Sequence, residues 1–372
     1  MEHRATVAVL GGGQLGRMLG LAGIPLGARF RFLDPSPDAP AAAVGQLVVG
    51  ELGDHAALTE VAVGADVVTY EWEGVPASAA QFLSSRVPVR PGDRPLEVSQ
   101  DRLVEKDTFR SLGVATAEYR AVSSSTELDA AAHELGLPAV LKTRRGGYDG
   151  KGQAVLRTSD DLEAAWAQLG AADLILEALV PFERELSIVA ARGLDGAIVC
   201  WPVVENEHRD GILRVTRAPA AGIEPDVERE AERIATALLT ELEHVGVLAV
   251  ELFQVDGALL ANEFAPRVHN SGHWTIEGAV TSQFENHVRA VIGLPLGDTT
   301  ARGFAAMVNC IGTMPESDEV LAVPGAHLHD YGKAPRAGRK LGHVTVVADT
   351  AAELDTRLAL LPSSPGFGVA TA

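Results

Sequence analysis

Residues 250–263 constrain the fold more tightly than any other stretch of this chain. The string Val250-Glu251-Leu252-Phe253-Gln254-Val255-Asp256-Gly257-Ala258-Leu259-Leu260-Ala261-Asn262-Glu263 sets two apolar arms about an Asp-Gly pair. Asp-Gly between such arms is the composition of a tight turn, so the segment reads as an antiparallel hairpin. The short turn limits the pairing, and position 251 falls opposite 262 or 263. Two carboxylates, Glu251 and Glu263, then come within reach of one hard cation, and oxygen ligands suit magnesium, with manganese as a substitute. The next residues, Phe264-Ala265-Pro266-Arg267-Val268-His269-Asn270-Ser271-Gly272-His273-Trp274, crowd polar donors where a core strand would carry apolar side chains. A cation beside such donors points to phosphate chemistry.

The chain has 372 residues, more than one hydrophobic core usually serves, so about two or three domains are expected. Hydrophobic residues make up 47% and charged residues 22%, and no apolar run approaches the ~20 residues needed to cross a bilayer. The amino end leads from Met1-Glu2-His3-Arg4 straight into Val7-Ala8-Val9-Leu10, neither a secretory nor a transit pattern, so a cytoplasmic protein is expected. Cys200 and Cys310 stand far apart without metal-ligand spacing and read as small buried hydrophobes. A net charge of −19 would repel nucleic acid and anionic membranes, so neither is an expected partner. Anionic small molecules then need local cations. Lys142-Thr143-Arg144-Arg145 and Lys333-Ala334-Pro335-Arg336-Ala337-Gly338-Arg339-Lys340 supply them.

Over residues 6–91, short apolar strands at 7–10, 30–33, 46–49 and 66–69 alternate with helical stretches, the pattern of a parallel α/β sheet. A helix begins near Gln100 and Asp101 and opens a second domain. A strand at 139–142, a glycine-rich loop, a strand at 153–156 and a helix at 159–169 form a small α+β unit. Strands at 174–177, 185–191, 197–204 and 212–216 read as one antiparallel sheet, and a helix at 226–244 precedes the acid hairpin. A last module has strands at 305–311 and 343–347 with a turn-rich stretch between them.

Gly11-Gly12-Gly13-Gln14-Leu15-Gly16 follows a strand and precedes a helix, and Asp34 ends the next strand where a ribose-binding acid would sit. That spacing serves a dinucleotide, but glycines that let backbone amides approach an anion at a helix start serve any phosphate. Lys142 ends the apolar strand Ala139-Val140-Leu141, where a charge is costly unless an anion receives it. Gly146-Gly147-Tyr148-Asp149-Gly150-Lys151-Gly152-Gln153 is too glycine-rich for an ordinary hairpin, and its amides can close over a triphosphate as a lid. It lacks the Gly-Lys-Ser/Thr of a P-loop.

Taken in order, Gln100-Asp101-Arg102-Leu103-Val104-Glu105-Lys106, Lys142, the Gly147 to Gln153 loop, Glu177 to Val180, Glu185, Glu251 and Asn262-Glu263 resemble the ATP-grasp superfamily. Within it, Gly11 to Met18, Tyr70-Glu71-Trp72-Glu73, Arg267 to Thr275 and Tyr331 to His343 are similar to the N5-carboxyaminoimidazole ribonucleotide synthetases of purine biosynthesis. Two departures stand out: Trp72-Glu73-Gly74 where that family more often has Phe-Glu-Asn, and Val268 where Pro is common.

The resemblance implies an ATP-grasp fold of mixed α/β and α+β class. Its parts would be a Rossmann-like parallel-sheet domain over 1–98, an ATP-grasp domain over 99–295 with a small lid subdomain at about 113–180, and a C-terminal module over 296–372. It implies that ATP is held by Arg102, Lys106, Lys142, Gly147, Tyr148, Asp149, Gly150, Lys151, Gly152, Gln153, Glu177, Ala178, Leu179, Val180, Glu185, His208 and Asn262, with magnesium on Glu251 and Glu263. Bicarbonate would sit near Tyr148, Arg267, His269, Asn270 and Ser271. The aminoimidazole ribonucleotide would lie among Gly13, Gln14, Leu15, Glu73, Asp149, Lys333, Arg336, Arg339 and Lys340. It also implies a homodimer and an ATP- and bicarbonate-dependent carboxylation through carboxyphosphate, with His269 or a phosphate oxygen as proton acceptor. Another ATP-grasp ligase, a nicotinamide dehydrogenase and a noncatalytic nucleotide binder are the competing readings.

Overall fold

The computed structural model describes residues 4–147, 151–170, 173–363 and 366–367. At the amino end, β1 (Thr6–Leu10) is buried along its whole length, which is why Val7-Ala8-Val9-Leu10 is a continuous apolar run. It pairs in parallel with β2 (Arg29–Asp34) and β4 (Val67–Tyr70), and β3 (Gln46–Val49) lies beyond β2, giving the order β3-β2-β1-β4. The helix Gln14–Gly23 starts at the glycine loop and turns Leu15, Met18 and Leu19 into the core.

A second sheet is antiparallel, with β5 (Tyr119–Val122), β6 (Ala139–Thr143), β7 (Gln153–Leu156) and β8 (Leu174–Ala178) in the order β5-β8-β6-β7. Leu128 and Ala131 of one helix and Ala165 and Leu169 of another pack with Leu141, Leu174 and Leu176. The strand at 174–177 was expected in the long antiparallel sheet, and the structure corrects this. It lies between β5 and β6, with Ile175 opposite Lys142. Apolar content marks a strand without naming its neighbour. This neighbour brings Glu177 next to Lys142.

Among the described residues the third sheet has nine strands: β9 (Arg184–Arg192), β10 (Ile198–Cys200), β11 (Val204–Arg209), β12 (Ile212–Ala218), β13 (Gly246–Val255), β14 (Ala258–Ala265), β15 (Phe304–Ile311), β16 (Ala326–Asp330) and β17 (Lys340–Ala348). Its order is β14-β13-β9-β11-β12-β15-β17-β16, with β10 also on β9. The single strand expected at 197–204 is two strands on β9, broken at Trp201-Pro202. Proline has no N–H to give the ladder, and the Trp201 ring is buried with its Nε1 donating to Thr281 O at 3.0 Å. The turn-rich stretch before residue 342 contains a helix, Ser317–Leu321, and β16. The last strands do not form a sheet of their own. Val215 of β12 pairs with Val308 of β15 and carries them into the central one.

Candidate active site

Asp256 and Gly257 take φ of 48° and 77°, the positive values that a tight hairpin turn requires. Glu251 pairs directly with Glu263, and a bulge follows: Leu252 faces Ala261, leaving Asn262 as the extra residue. The Asn262 carbonyl accepts a hydrogen bond from Lys106 Nζ at 2.7 Å. Arg102 Nη1 donates to Glu263 Oε2 at 2.7 Å, and His269 Nε2 lies 3.3 Å from Glu251 Oε1. Burial and the facing Glu263 push the Glu251 carboxyl up, whereas Arg102 holds Glu263 down against the cost of its burial. Two like charges across one rung leave one acid poorly accommodated.

Beside the hairpin, Lys106 is fully buried on the helix Arg102–Ser111, whose amino end is capped by Asp101 accepting from Leu103 N at 3.1 Å. Lys106 Nζ lies 3.4 Å and Lys142 Nζ 3.0 Å from the same oxygen, Oε2 of Glu177. Against the cost of burial, Lys142 and Lys106 hold the Glu177 carboxyl down at about 2. Its other oxygen is buried with no hydrogen-bond partner among the described residues. Arg102 Nη2 also donates to Gly147 O at 3.4 Å, and Thr143 N donates to Gly152 O at 2.8 Å, so both ends of the second glycine loop are tied to this cluster. Tyr148, Asp149 and Gly150 lie outside the described residues. Lys151 is exposed, and Gln153 opens β7 opposite Lys142.

Past Ala178, Leu179 N donates to Pro138 O at 3.2 Å, and Leu179 is half-exposed just before Val180. Across the cleft, Glu185 Oε2 meets His208 Nδ1 at 2.7 Å and raises its pKa despite burial. These two line a cavity of about 380 Å³ with Phe182, Arg184, Asn206 and Arg217.

The first glycine loop is already filled. Gly13 N and Gly16 N donate to Glu71 Oε1 and Oε2 at 2.7 and 2.8 Å, and Gly12 N donates to Asp34 Oδ2 at 2.8 Å. A Cβ on Gly13 would stand 2.6 Å from Glu71 Oε1, so glycine is needed for this carboxylate to approach. The amides that a pyrophosphate would use are taken, and Asp34 ties the loop in place of a ribose. The nicotinamide reading loses its support. Leu15 is in the core, leaving Gln14, whose Oε1 accepts from Lys333 Nζ. Arg267 Nε binds the Glu73 carboxylate, and Gln100 Nε2 donates to Glu73 O at 2.7 Å. Arg336 is exposed and Arg339 half-buried on their own turn, with Arg339 N donating to Arg336 O at 3.0 Å, while Lys340 begins β17.

Three domain families match along the chain: the ribonucleotide synthetase preATP-grasp domain at 4–100, the ATP-grasp domain at 107–284 and the phosphoribosylaminoimidazole carboxylase C-terminal domain at 305–357. N5-carboxyaminoimidazole ribonucleotide synthase of Pseudomonas aeruginosa is 52% identical over 95% of this chain and 97% of its own. That of Brucella melitensis is 47% identical over 93% and 97%. The chain belongs to the N5-carboxyaminoimidazole ribonucleotide synthase family. Among solved members, the Thermus thermophilus synthetase has a TM-score of 0.93 at 53% identity, covering 96% of this chain and 99% of that one. The Aspergillus clavatus synthase, in complex with ADP and 5-aminoimidazole ribonucleotide, has a TM-score of 0.90 at 31% identity, covering 97% and 98%.

Two residues of this family member escaped the sequence reading of the site, and a third was read in another role. Glu71 clamps the first glycine loop, hinted at only by its place in the string Tyr70-Glu71-Trp72-Glu73, and Asp34, expected to bind a ribose, ties Gly12 N of the same loop instead. Glu105 is buried behind the acid hairpin, where its Oε1 accepts from Phe264 N at 2.7 Å. Burial and Glu263 push the Glu105 carboxyl up behind the acid pair. An acid at the third position after Arg102 on a helix gives no sign of that in sequence.

Proposed function

We propose that this ATP-dependent ligase carboxylates the exocyclic amine of 5-aminoimidazole ribonucleotide, with bicarbonate as the carbon source and ADP and phosphate as products. The observation that carries this reading is the reach of Arg102. One guanidinium spans Glu263 of the acid hairpin and Gly147 of the glycine loop, so the parts suited to a triphosphate form one contiguous cluster with Lys106, Lys142 and Glu177.

Magnesium fits the hairpin. Among the described residues no group of three or more His, Cys, Asp or Glu is gathered into a cage, and magnesium is commonly held by one or two carboxylates with waters and phosphate oxygens completing its shell. The like charge of Glu263 that raises Glu251 is what a divalent cation would relieve. Glu251 and Glu263 would hold it, and when bound it supplies positive charge for the phosphoryl oxygens.

A bicarbonate oxygen forms a bond to the terminal phosphorus of ATP while the bridging oxygen leaves with ADP. Lys142 stands where it can meet the charge on the transferred group. The carboxyphosphate formed is open to hydrolysis, and the Gly147 to Gln153 loop serves to exclude water. The amine nitrogen then bonds to the carboxyl carbon as phosphate leaves, and one amine proton must be taken up. His269 is unsuited to take it. Burial and then Arg267 push its pKa down to about 3, its Nδ1 accepts from Ser271 N at 3.3 Å, and its Nε2 faces Glu251. A phosphate oxygen is the acceptor in this reading. Arg267, paired with Glu73, and Asn270, whose amide exchanges hydrogen bonds with Asn309, border the bicarbonate end. Lys333 on Gln14 marks the ribonucleotide end. The homodimer and the cytoplasmic location implied by the sequence are carried with this reading.

ADP release with magnesium-ATP and bicarbonate, measured with and without 5-aminoimidazole ribonucleotide, tests it. Release that rises only when the ribonucleotide is present is the expected result. Release indifferent to it, or driven by another amine acceptor, would turn the assignment to a different ATP-grasp ligase.

A further inference from the structure

His273, His343 and Tyr331 carry no role in the chemistry above, yet all three are buried, at 1%, 0% and 3% exposure. They lie between the two halves of the site. Gln283 grips the Arg267 to Ser271 segment from one side: its Oε1 accepts from His269 N at 2.9 Å, and its Nε2 donates to His269 O at 2.7 Å and meets His273 Nδ1 at 3.2 Å. The His273 ring packs on His343, with centroids 4.9 Å apart. His343 of β17 stacks on its cross-strand partner His329 of β16 at 4.3 Å and 8°, and its Nδ1 meets Tyr331 OH at 2.7 Å. His329 Nε2 is held in turn by Glu277 Oε1 at 2.8 Å. Two residues beyond Tyr331 stands Lys333.

Apolar side chains would fill this interior at lower cost, since every buried polar group has to be matched by a partner. His343 Nε2 and Glu277 Oε2 have no hydrogen-bond partner among the described residues, so this network is only partly matched, and the bonds it does make fix ring orientations that apolar packing leaves free. We propose that the Tyr331–His343 hydrogen bond is a positioning contact, holding the segment that carries Lys333 in fixed relation to the His269 loop so that the ribonucleotide phosphate is gripped in register with the carboxyl donor. This rests on the function proposed above. Tyr331 and His343 act through Lys333 and through Gln283, without contact with the reacting atoms.

Tyr331→Phe removes one hydroxyl and keeps the ring. The KM for the ribonucleotide should rise about tenfold, the scale of one buried hydrogen bond. The KM for ATP and the ribonucleotide-independent ADP release should stay within about twofold, a split that general loss of structure does not give. His343→Phe should show the same shift, and the double variant no more than either single one, because both remove the same bond. An unchanged ribonucleotide KM, equal shifts in both KM values, or additive effects in the double variant would overturn the proposal. Amide hydrogen exchange separates this from failure of the functional reading. Faster exchange in both 269–273 and 331–341 of Tyr331→Phe supports the link whatever the substrate is, and exchange unchanged in either segment refutes it.

Discussion

Lys142 Nζ and Glu177 Oε2 stand 3.0 Å apart in a pair whose oxygen is also 3.4 Å from Lys106. One carboxylate thus serves two cations. Burial lowers the pKa of Lys106, Glu177 opposes that shift, and the nearby Lys142 adds to it. The surplus positive charge is available to a phosphate.

Lys142→Ala should therefore leave the fold intact, because Lys106 still partners Glu177, and slow turnover by about two to three powers of ten, the scale of one preorganised charge donor. Steady-state kinetics with circular dichroism as the check on folding would measure this. A folded variant with normal turnover would remove Lys142 from the proposed chemistry.

The pairing of Glu251 with Glu263 is legible in the sequence because everything that sets it is local: an Asp-Gly turn and two apolar arms. The strand character of 174–177 is equally local, but its place beside β6 is decided by contacts between distant segments, and so is the meeting of Lys142 with Glu177. The glycine loop makes the same point for the site. Its spacing predicts amides aimed at an anion, and the structure has such an anion, but it is Glu71, 55 positions beyond Gly16. A motif gives the shape of a cradle without naming its occupant. His287 of the helix Gln283–Ile292 meets Thr69 Oγ1 and accepts from Val247 N, a tie with no sequence signal at all, since a single histidine on an amphipathic helix looks like any other.

Glu263→Gln removes one of the two facing acids and leaves Arg102 without its carboxylate. The magnesium concentration needed for half-maximal ADP release should rise at least about tenfold, as losses in a metal's ligand environment commonly do. Titration with magnesium at saturating ATP reads this directly. Unchanged metal dependence would place the cation elsewhere.

Burial and then Arg339 push the Lys333 ammonium down to about 8, although Glu71 opposes the shift. The charged form, needed to hold a phosphate, prevails below that pH and is lost above it. In the pH profile of kcat/KM for the ribonucleotide, a descending limb should appear near pH 8 and approach a tenfold fall per unit. Lys333→Arg, charged throughout the range, should remove the limb. Persistence of the limb in that variant would assign it to another group.

His287 joins the amino-terminal sheet to the central one. Its Nδ1 accepts from Val247 N at 3.1 Å, and its Nε2 meets Thr69 Oγ1 at 2.8 Å, an arrangement that needs a neutral ring. Gly246, at φ 130°, makes room for it, since a Cβ there would stand 2.9 Å from His287 Cε1. Burial pushes the ring's pKa down to about 4 from its ordinary 6.5. Between those values the unfolded chain binds a proton that the folded protein refuses, so stability is full above pH 6.5 and falls as the pH drops toward 4, by up to about 1.4 kcal/mol per unit for one such group. Urea unfolding at pH 7 and pH 5 should show the loss. The buried, neutral His244 contributes with the same sign, its pKa also being pushed down by burial. His287→Gln should accordingly be less stable at pH 7 yet lose less between the two pH values. An identical loss in the variant and the parent would show that the joint between the two sheets does not sense acid through this ring.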